Sequence, residues 1–474
     1  MEATDNLILI FQLLYGITAV GVVLVIITEN RNPLKTISWI LILLLLPLVG
    51  LIIFYFFGED SRKQRLISHK MHKKLNRKSL GRRDYYEQQN PLEEYRGLSV
   101  LLNKMADTPL YGGTSVRFFS SGAEKYEDLM IELEKAEKHI HIQYYIFMDD
   151  GIGHKIRDLL IKKAREGLEV RLIYDDVGSW KAKRTFFKEM QAEGIIVQSF
   201  LKVAFRWLTS RVNYRNHRKI VVIDGKIGYV GGMNIADRYI DGIQSGIWRD
   251  SHIKLEGKAV AGLQTSFLID WYSSHKEFLT ADTYFPLLED KGDNIIQIAT
   301  SGPVGTFKAI HMGILQSISN AKECIYIQTP YFVPTDALLL SLQMAAMRGV
   351  DVRLMLPRNS DTTFVHIASM SFLAEVLDAK VQVYFYEAGF LHSKLMVIDN
   401  ALTITGSANM DVRSFEHNFE IDAFIYNEDT CAKAKEIFYQ DMEKSTQLIA
   451  DEWNSRSRIN KFKESIMRLF SPLL

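Results

Sequence analysis

The stretch HRKIVVIDGKIGYVGGMN (217–234) returns in the same register as HSKLMVIDNALTITGSAN (392–409). His217, Lys219, Asp224, Gly231 and Asn234 reappear as His392, Lys394, Asp399, Gly406 and Asn409, each 175 positions on, as 392 follows 217. Such agreement marks an internal duplication, to be recognised before any single motif is interpreted. The echo extends outward: IHIQ (140–143) answers IYIQ (325–328), and GLEVRL (167–172) answers GVDVRL (349–354). The repeated unit is therefore a whole segment of chain.

From about residue 110, short apolar runs alternate with amphipathic stretches. EDLMIELEKAEK reads as a helix, HIHIQYYIF as a strand, GHKIRDLLIKKAREG as a helix and LEVRLIYDD as a strand, and KECIYIQTPYFV, DALLLSLQMAAMRG and VDVRLMLP restate that order. Alternation of this kind predicts an α/β fold in two duplicated halves, 110–285 and 286–445, with an amphipathic tail over 446–474. At 474 residues the chain is too long for one ordinary core in any case.

Within each copy, His and Lys stand two apart at the head of an apolar strand and so project to the same side. Asp-Gly or Asp-Asn then supplies a tight turn into a second strand, which ends in the small pairs Gly231-Gly232 and Gly406-Ser407. Small residues there let the backbone and the following Asn come close to a ligand. Imidazole, ammonium and amide together suit an anion with oxygens to hold. A lone His-x-Lys is usually a solvated strand edge; its duplication in register is what gives it weight.

A neutral imidazole is a competent nucleophile toward phosphorus, but the departing alkoxide needs a proton, and one His cannot supply both. Two copies facing each other across a pseudo-twofold axis can. Lys219, Lys394, Asn234 and Asn409 would hold the non-bridging oxygens. Asp224 and Asp399 are counted with the catalytic motif, although bracing the turn is an equally good role for them. The histidines 69, 72, 139 and 141 show no comparable pattern and read as ordinary surface or sheet residues. No cofactor is implied. A zinc site is disfavoured, because the motifs lack a His/Cys ligand set at the usual spacings and Cys324 and Cys431 have no ligand spacing.

The N-terminus has a different character. LILIFQLLYGITAVGVVLVII (7–27) and ISWILILLLLPLVGLIIFYFF (37–57) carry no charge, and each is long enough to span a bilayer as a helix. The short connector TENRNPLKT makes residues 1–58 a transmembrane hairpin. Ten Lys and Arg crowd 61–83 without one acid, inside a juxtamembrane linker over 59–109, so the positive-inside bias places the C-terminal bulk in the cytoplasm. The same basic stretch either attracts anionic headgroups or serves only as topology signal and linker. A net charge of +1 gives no global argument for a polyanionic partner, and no nucleic acid is expected. INKFKESIMRLFSPLL sets Ile459, Phe462, Ile466, Leu469 and Phe470 at helical spacings; it either lies in the membrane interface or packs on the catalytic part.

The repeated pattern H-x-K-x(4)-D-x(6)-G-[GS] resembles the HKD motif of the phospholipase D superfamily, and the likeness covers nearly all of 110–445. The apolar segment with NRNPLKTISWILILLLLPLVGLIIFYFFGED, and the ending RLFSPLL, resemble the corresponding parts of the bacterial cardiolipin synthase family within it. The resemblance implies two α/β sandwich halves around one active site, a phosphohistidine intermediate, His217 as nucleophile and His392 as general acid and base. It further implies an acidic residue downstream of each motif to orient its His, Asp250 of WRDSH in the first and Glu420 of HNFEID in the second. Gly231, Gly406 and Ser407 complete the phosphate-holding set. The implied reaction joins two phosphatidylglycerols at a bacterial cell membrane. Phospholipid hydrolysis and a non-catalytic anionic-lipid tether are the alternatives. Oligomeric state is left open.

Overall fold

The computed structural model describes residues 2–28, 33–46, 48–57, 93–202, 214–244, 246–303 and 307–471. The basic stretch 61–83, with His69 and His72, lies outside them.

Helices α1 (Glu2–Thr28), α2 (Pro33–Leu45) and α3 (Val49–Phe57) belong to a unit of their own. The stretch expected as one helix over 37–57 is broken in two. The sequence has Pro47 at the break, and a proline inside a helix lacks the N–H for the bond one turn back and disfavours helical backbone in the residue before it. Gly50 tightens the junction, since a Cβ there would come within 2.7 Å of the Ile42 carbonyl oxygen. Among the described residues no helix is long and apolar enough to cross a membrane. Large apolar side chains nonetheless face outward, with Ile17 70% and Leu45 73% exposed.

The second unit is built on one 15-stranded sheet. The strands of the first half are β1 (Tyr111–Phe119), β2 (His139–Tyr144), β3 (Glu169–Asp175), β4 (Ile196–Phe200), β5 (Ile220–Ile223), β6 (Ile227–Gly231), β7 (Ile247–Arg249) and β8 (His252–Glu256). Those of the second are β9 (Asn294–Ser301), β10 (Cys324–Gln328), β11 (Phe332–Val333), β12 (Asp351–Pro357), β13 (Gln382–Tyr386), β14 (Gly389–Leu391), β15 (Leu395–Ile398), β16 (Leu402–Gly406), β17 (Met410–Asp411), β18 (Glu420–Tyr426) and β19 (Ser445–Gln447). Beside the large sheet, β11 pairs with β17 and β14 with β7 as two separate two-stranded sheets. Across the large sheet the order is β19-β13-β12-β10-β15-β16-β18-β9-β1-β8-β6-β5-β2-β3-β4. Read from the central β9–β1 pair outward, each side repeats the other, and β19 is the one addition. The duplication in sequence is thus a near-twofold symmetry in space.

β5 and β15, the apolar runs of the two motifs, are buried on both faces. Val221 and Ile223 join the core of the first half, while Ile220 and Val222 join a central core shared with Ile296, Ile298, Ile421 and Ile425 of the second. In β15, Met396 and Ile398 face one cluster and Leu395 and Val397 another. That is why both segments read as unbroken apolar runs rather than alternating ones. His139 and His141 prove to be buried sheet residues; His141 stacks on Phe267 at 4.5 Å and bonds to Gln264. Cys324 and Cys431 are free and buried.

Asp224 and Asp399 close the motif strands at the end opposite the His-Lys pair. The Asp224 carboxylate accepts backbone N–H bonds from Glu137, Lys138 and His139 at 2.8–2.9 Å, and Asp399 does the same for Lys322, Glu323 and Cys324 at 2.7–3.1 Å. Each satisfies the orphan donors where β2 or β10 begins. The strand between motif His and Asp spans roughly 3.3 Å per residue, which puts these carboxylates out of reach of the imidazoles. Their role here is to brace, and the catalytic expectation for them is corrected.

Candidate active site

At the carboxyl edge of the central strands the two halves exchange short stretches of backbone. β14 pairs in parallel with β7, Leu391 opposite Arg249, and the His392 N–H donates to the Arg249 carbonyl at 2.6 Å. By the same symmetry Asn216 pairs in parallel with Phe419, and the His217 N–H donates to the Phe419 carbonyl at 2.9 Å. Each motif His is therefore laid beside the residue that follows its partner strand in the other half.

The consequence is a crossing of carboxylates. His217 Nδ1 lies 3.0 Å from Glu420, and His392 Nδ1 lies 2.6 Å from Asp250. The resemblance assigned each acid to the His of its own motif; the structure gives each to the His of the other half. With Nδ1 engaged by a carboxylate, Nε2 is the nitrogen turned to chemistry in each ring, and at His392 the Lys394 ammonium stands 3.2 Å from it. Glu420 is fixed in turn by the Ser407 hydroxyl and by Asn418 Nδ2 at 3.1 Å, and Asp250 by the Ser251 N–H at 2.8 Å. The Gly-Ser difference between copies has its cause here. A Cβ on Gly232 would come within 2.1 Å of Asp250 Oδ1, whereas Ser407, its counterpart, supplies a hydroxyl to Glu420. Gly231 and Gly406 serve packing: a Cβ would collide with the His252 backbone or the Ile421 carbonyl.

Both imidazoles open into one cavity of about 340 Å³, lined also by Asn234, Asn409, Arg215, Arg238, Arg413 and the rings of Tyr145, Tyr239, Trp248 and Tyr331. Tyr145 meets His217 edge-on at 5.0 Å, and Tyr331 meets His392 at 6.3 Å. Lys219 and Lys394 are buried, and each ammonium donates to the carbonyl of its own motif His. Asn234 is committed to the fold, accepting from the Ile146 N–H at 3.0 Å and donating to the Tyr239 hydroxyl at 2.5 Å. Asn409 Oδ1 is buried with no donor among the described residues. Among the described residues no three His, Cys, Asp or Glu gather as a metal site.

Electrostatics favour neutral rings. Burial, helped by Lys219 and Lys394, holds His217 well below the ordinary imidazole range. Burial and Lys394 bring His392 down to about 4, against the pull of Asp250. Burial lowers Lys219 to about 7 and Lys394 to about 8, with Glu420 and Asp250 opposing. The two acids differ. Burial pushes Glu420 up to about 7, whereas for Asp250 the charges of His392 and Lys394 outweigh burial and keep it below the usual carboxylate range.

Residues 129–260 and 314–442 match the family described as cardiolipin synthase, phospholipase D-like domain, so each match contains one motif. The chain belongs to the cardiolipin synthases. Residues 17–59 match a second family, described as phospholipase D-nuclease N-terminal. The chain is 39% identical to a cardiolipin synthase of Geobacillus sp., covering 98% of this chain and 93% of that one. It is 37% identical to the major cardiolipin synthase of Bacillus subtilis, covering 98% and 99%. In fold it is similar to the phosphatidylserine synthase of Haemophilus influenzae Rd KW20, with a TM-score of 0.61 over 80% of this chain and 98% of that one at 14% identity. The cardiolipin synthase family thus accounts for both the catalytic unit and its duplication.

Proposed function

We propose that the enzyme transfers a phosphatidyl group from one phosphatidylglycerol to another, giving cardiolipin and glycerol. The observation that carries this reading is the pair of imidazoles, each steered through Nδ1 by a carboxylate of the opposite half, facing one cavity. Neutral His217 Nε2 attacks phosphorus while the P–O bond to the glycerol headgroup breaks, and His392, entering the step as the imidazolium favoured by Asp250 and by the negative charge of the lipid phosphate beside it, gives its Nε2 proton to the departing oxygen. The acceptor lipid's hydroxyl then gives its proton to His392 and attacks phosphorus, and the P–N bond breaks. Assigning the acid role to His392 follows from its partner: an ionised Asp250 at 2.6 Å stabilises the imidazolium form that a proton donor needs. Lys219 and Lys394 offset charge on the phosphoryl oxygens. The test is product analysis after incubating the purified enzyme with phosphatidylglycerol. Cardiolipin with glycerol supports transfer; phosphatidic acid with glycerol shows hydrolysis, and no turnover supports a tether.

The lysines set an expected pH dependence. Each is charged below its lowered value and loses its charge as pH rises through it, so kcat/KM should fall through a limb centred between about 7 and about 8. A profile that stays flat to about pH 10 would contradict this role.

The outward apolar residues of α1 to α3 support burial of that unit in a bilayer as a hairpin at the cell membrane, with the catalytic unit on the cytoplasmic side. Protease accessibility on oriented vesicles tests that orientation. The C-terminal helix Arg458–Leu469 packs on the catalytic part and leaves an apolar face that suits the membrane-interface role. Arg468 bonds Glu375 and Met467 packs on the core, yet Phe462 is 66% and Leu469 78% exposed. That face would meet lipid. Removing residues 458–474 is expected to weaken binding to phosphatidylglycerol vesicles several-fold, and unchanged binding would reject the idea.

A further inference from the structure

Two identical lipids must be handled differently, since one loses its headgroup and the other keeps its phosphodiester. If phosphatidylglycerol transfer is the reaction, a second phosphate has to be held while the first reacts. In-line chemistry fixes where. The acceptor enters on the side the leaving glycerol vacated, which is the side of His392.

Arg238 is placed there. It begins the short helix Arg238–Asp241, is exposed, lines the same cavity, and makes no ion pair among the described residues. Arg215, by contrast, is buried and spent on Asp175 at 3.2 Å. Arg238 Cζ stands 5.2 Å from the Trp248 ring centre, which stands 5.1 Å from that of His392, so the guanidinium is within about 10 Å of the imidazole. It also lies 5.5 Å over Tyr239, so the two rings flatten and orient it. An acceptor phosphate and its terminal hydroxyl are separated by a three-carbon glycerol, roughly 6 Å when extended at about 1.5 Å per bond. With one hydrogen bond at each end, the acceptor is long enough to touch both groups at once.

We propose that Arg238 is the acceptor-phosphate site, binding the phosphodiester of the second phosphatidylglycerol so that its hydroxyl reaches His392. The step it serves balances simply: the acceptor oxygen gains the bond to phosphorus, the P–Nε2 bond to His217 breaks, and His392 takes the hydroxyl proton. Arg238 thereby favours a phosphate-bearing alcohol over water or free glycerol.

The inference rests on the transferase reading, and the experiment separates the two. Full-length enzyme in phosphatidylglycerol vesicles is assayed for cardiolipin formation and for exchange of labelled free glycerol, an acceptor with no phosphate, into phosphatidylglycerol. Loss of a charged phosphate contact is worth about 10- to 100-fold. Arg238→Gln should lower cardiolipin formation by that factor and at least about 10-fold more than it lowers glycerol exchange, with the lost flux appearing as phosphatidic acid, and Arg238→Lys should recover part of it. Equal losses in both reactions, or no loss in either, would overturn the assignment while leaving the transferase intact. Wild-type enzyme that exchanges glycerol but makes no cardiolipin would overturn both.

Discussion

His217→Ala is expected to abolish every step of turnover, by roughly 10⁴-fold or more, whatever the leaving group. His392→Ala is expected to act differently. It should cost about 10²- to 10⁴-fold on phosphatidylglycerol, whose glycerol leaves only with a proton. With a phosphatidyl nitrophenol, whose nitrophenolate departs unprotonated, the variant should release close to one equivalent rapidly and then stall, because no base is left to activate the acceptor. The contrast assigns the roles that the near-twofold symmetry hides. A burst in His217→Ala and none in His392→Ala would reverse them.

The crossed carboxylates give the second large effect. Asp250→Asn should behave as a weakened His392→Ala, keeping the nitrophenolate burst and losing about 10²-fold or more in lipid turnover. Glu420→Gln should slow the burst itself, since it steers the nucleophile. Residues acting as one unit are non-additive. His392→Ala combined with Asp250→Asn should therefore be little worse than His392→Ala alone, while adding Glu420→Gln should cost a further loss. If each acid served the His of its own motif, these patterns would be exchanged. Measuring burst rate and steady state for these variants decides between them.

Much of this architecture was legible in the residues. The paired copies at 217–234 and 392–409 give the duplication, the apolar runs give β5 and β15, and the 175-residue offset gives the symmetry. The same offset also relates Arg238 to Arg413, both lining the cavity, although neither stood out without its position. Pro47 was in plain view inside an apolar run, yet hydropathy weighs composition and not backbone hydrogen bonding. What could not be read was the crossing. It depends on parallel pairing of β7 with β14 and of Asn216 with Phe419, contacts between segments some 140 to 200 residues apart. Asp224 and Asp399 misled for a related reason. A short-range motif does not say which of its polar groups face the site and which hold the start of a neighbouring strand.

The central claim is a phosphatidyl group carried on His217 in a site shared by both halves. The most direct measurement is to quench His392→Ala enzyme during its nitrophenyl burst and locate the adduct by peptide mass spectrometry. One phosphatidyl adduct per chain, acid-labile and on His217, is the expected result. Nitrophenolate release without an adduct, or an adduct on another residue, would contradict the account.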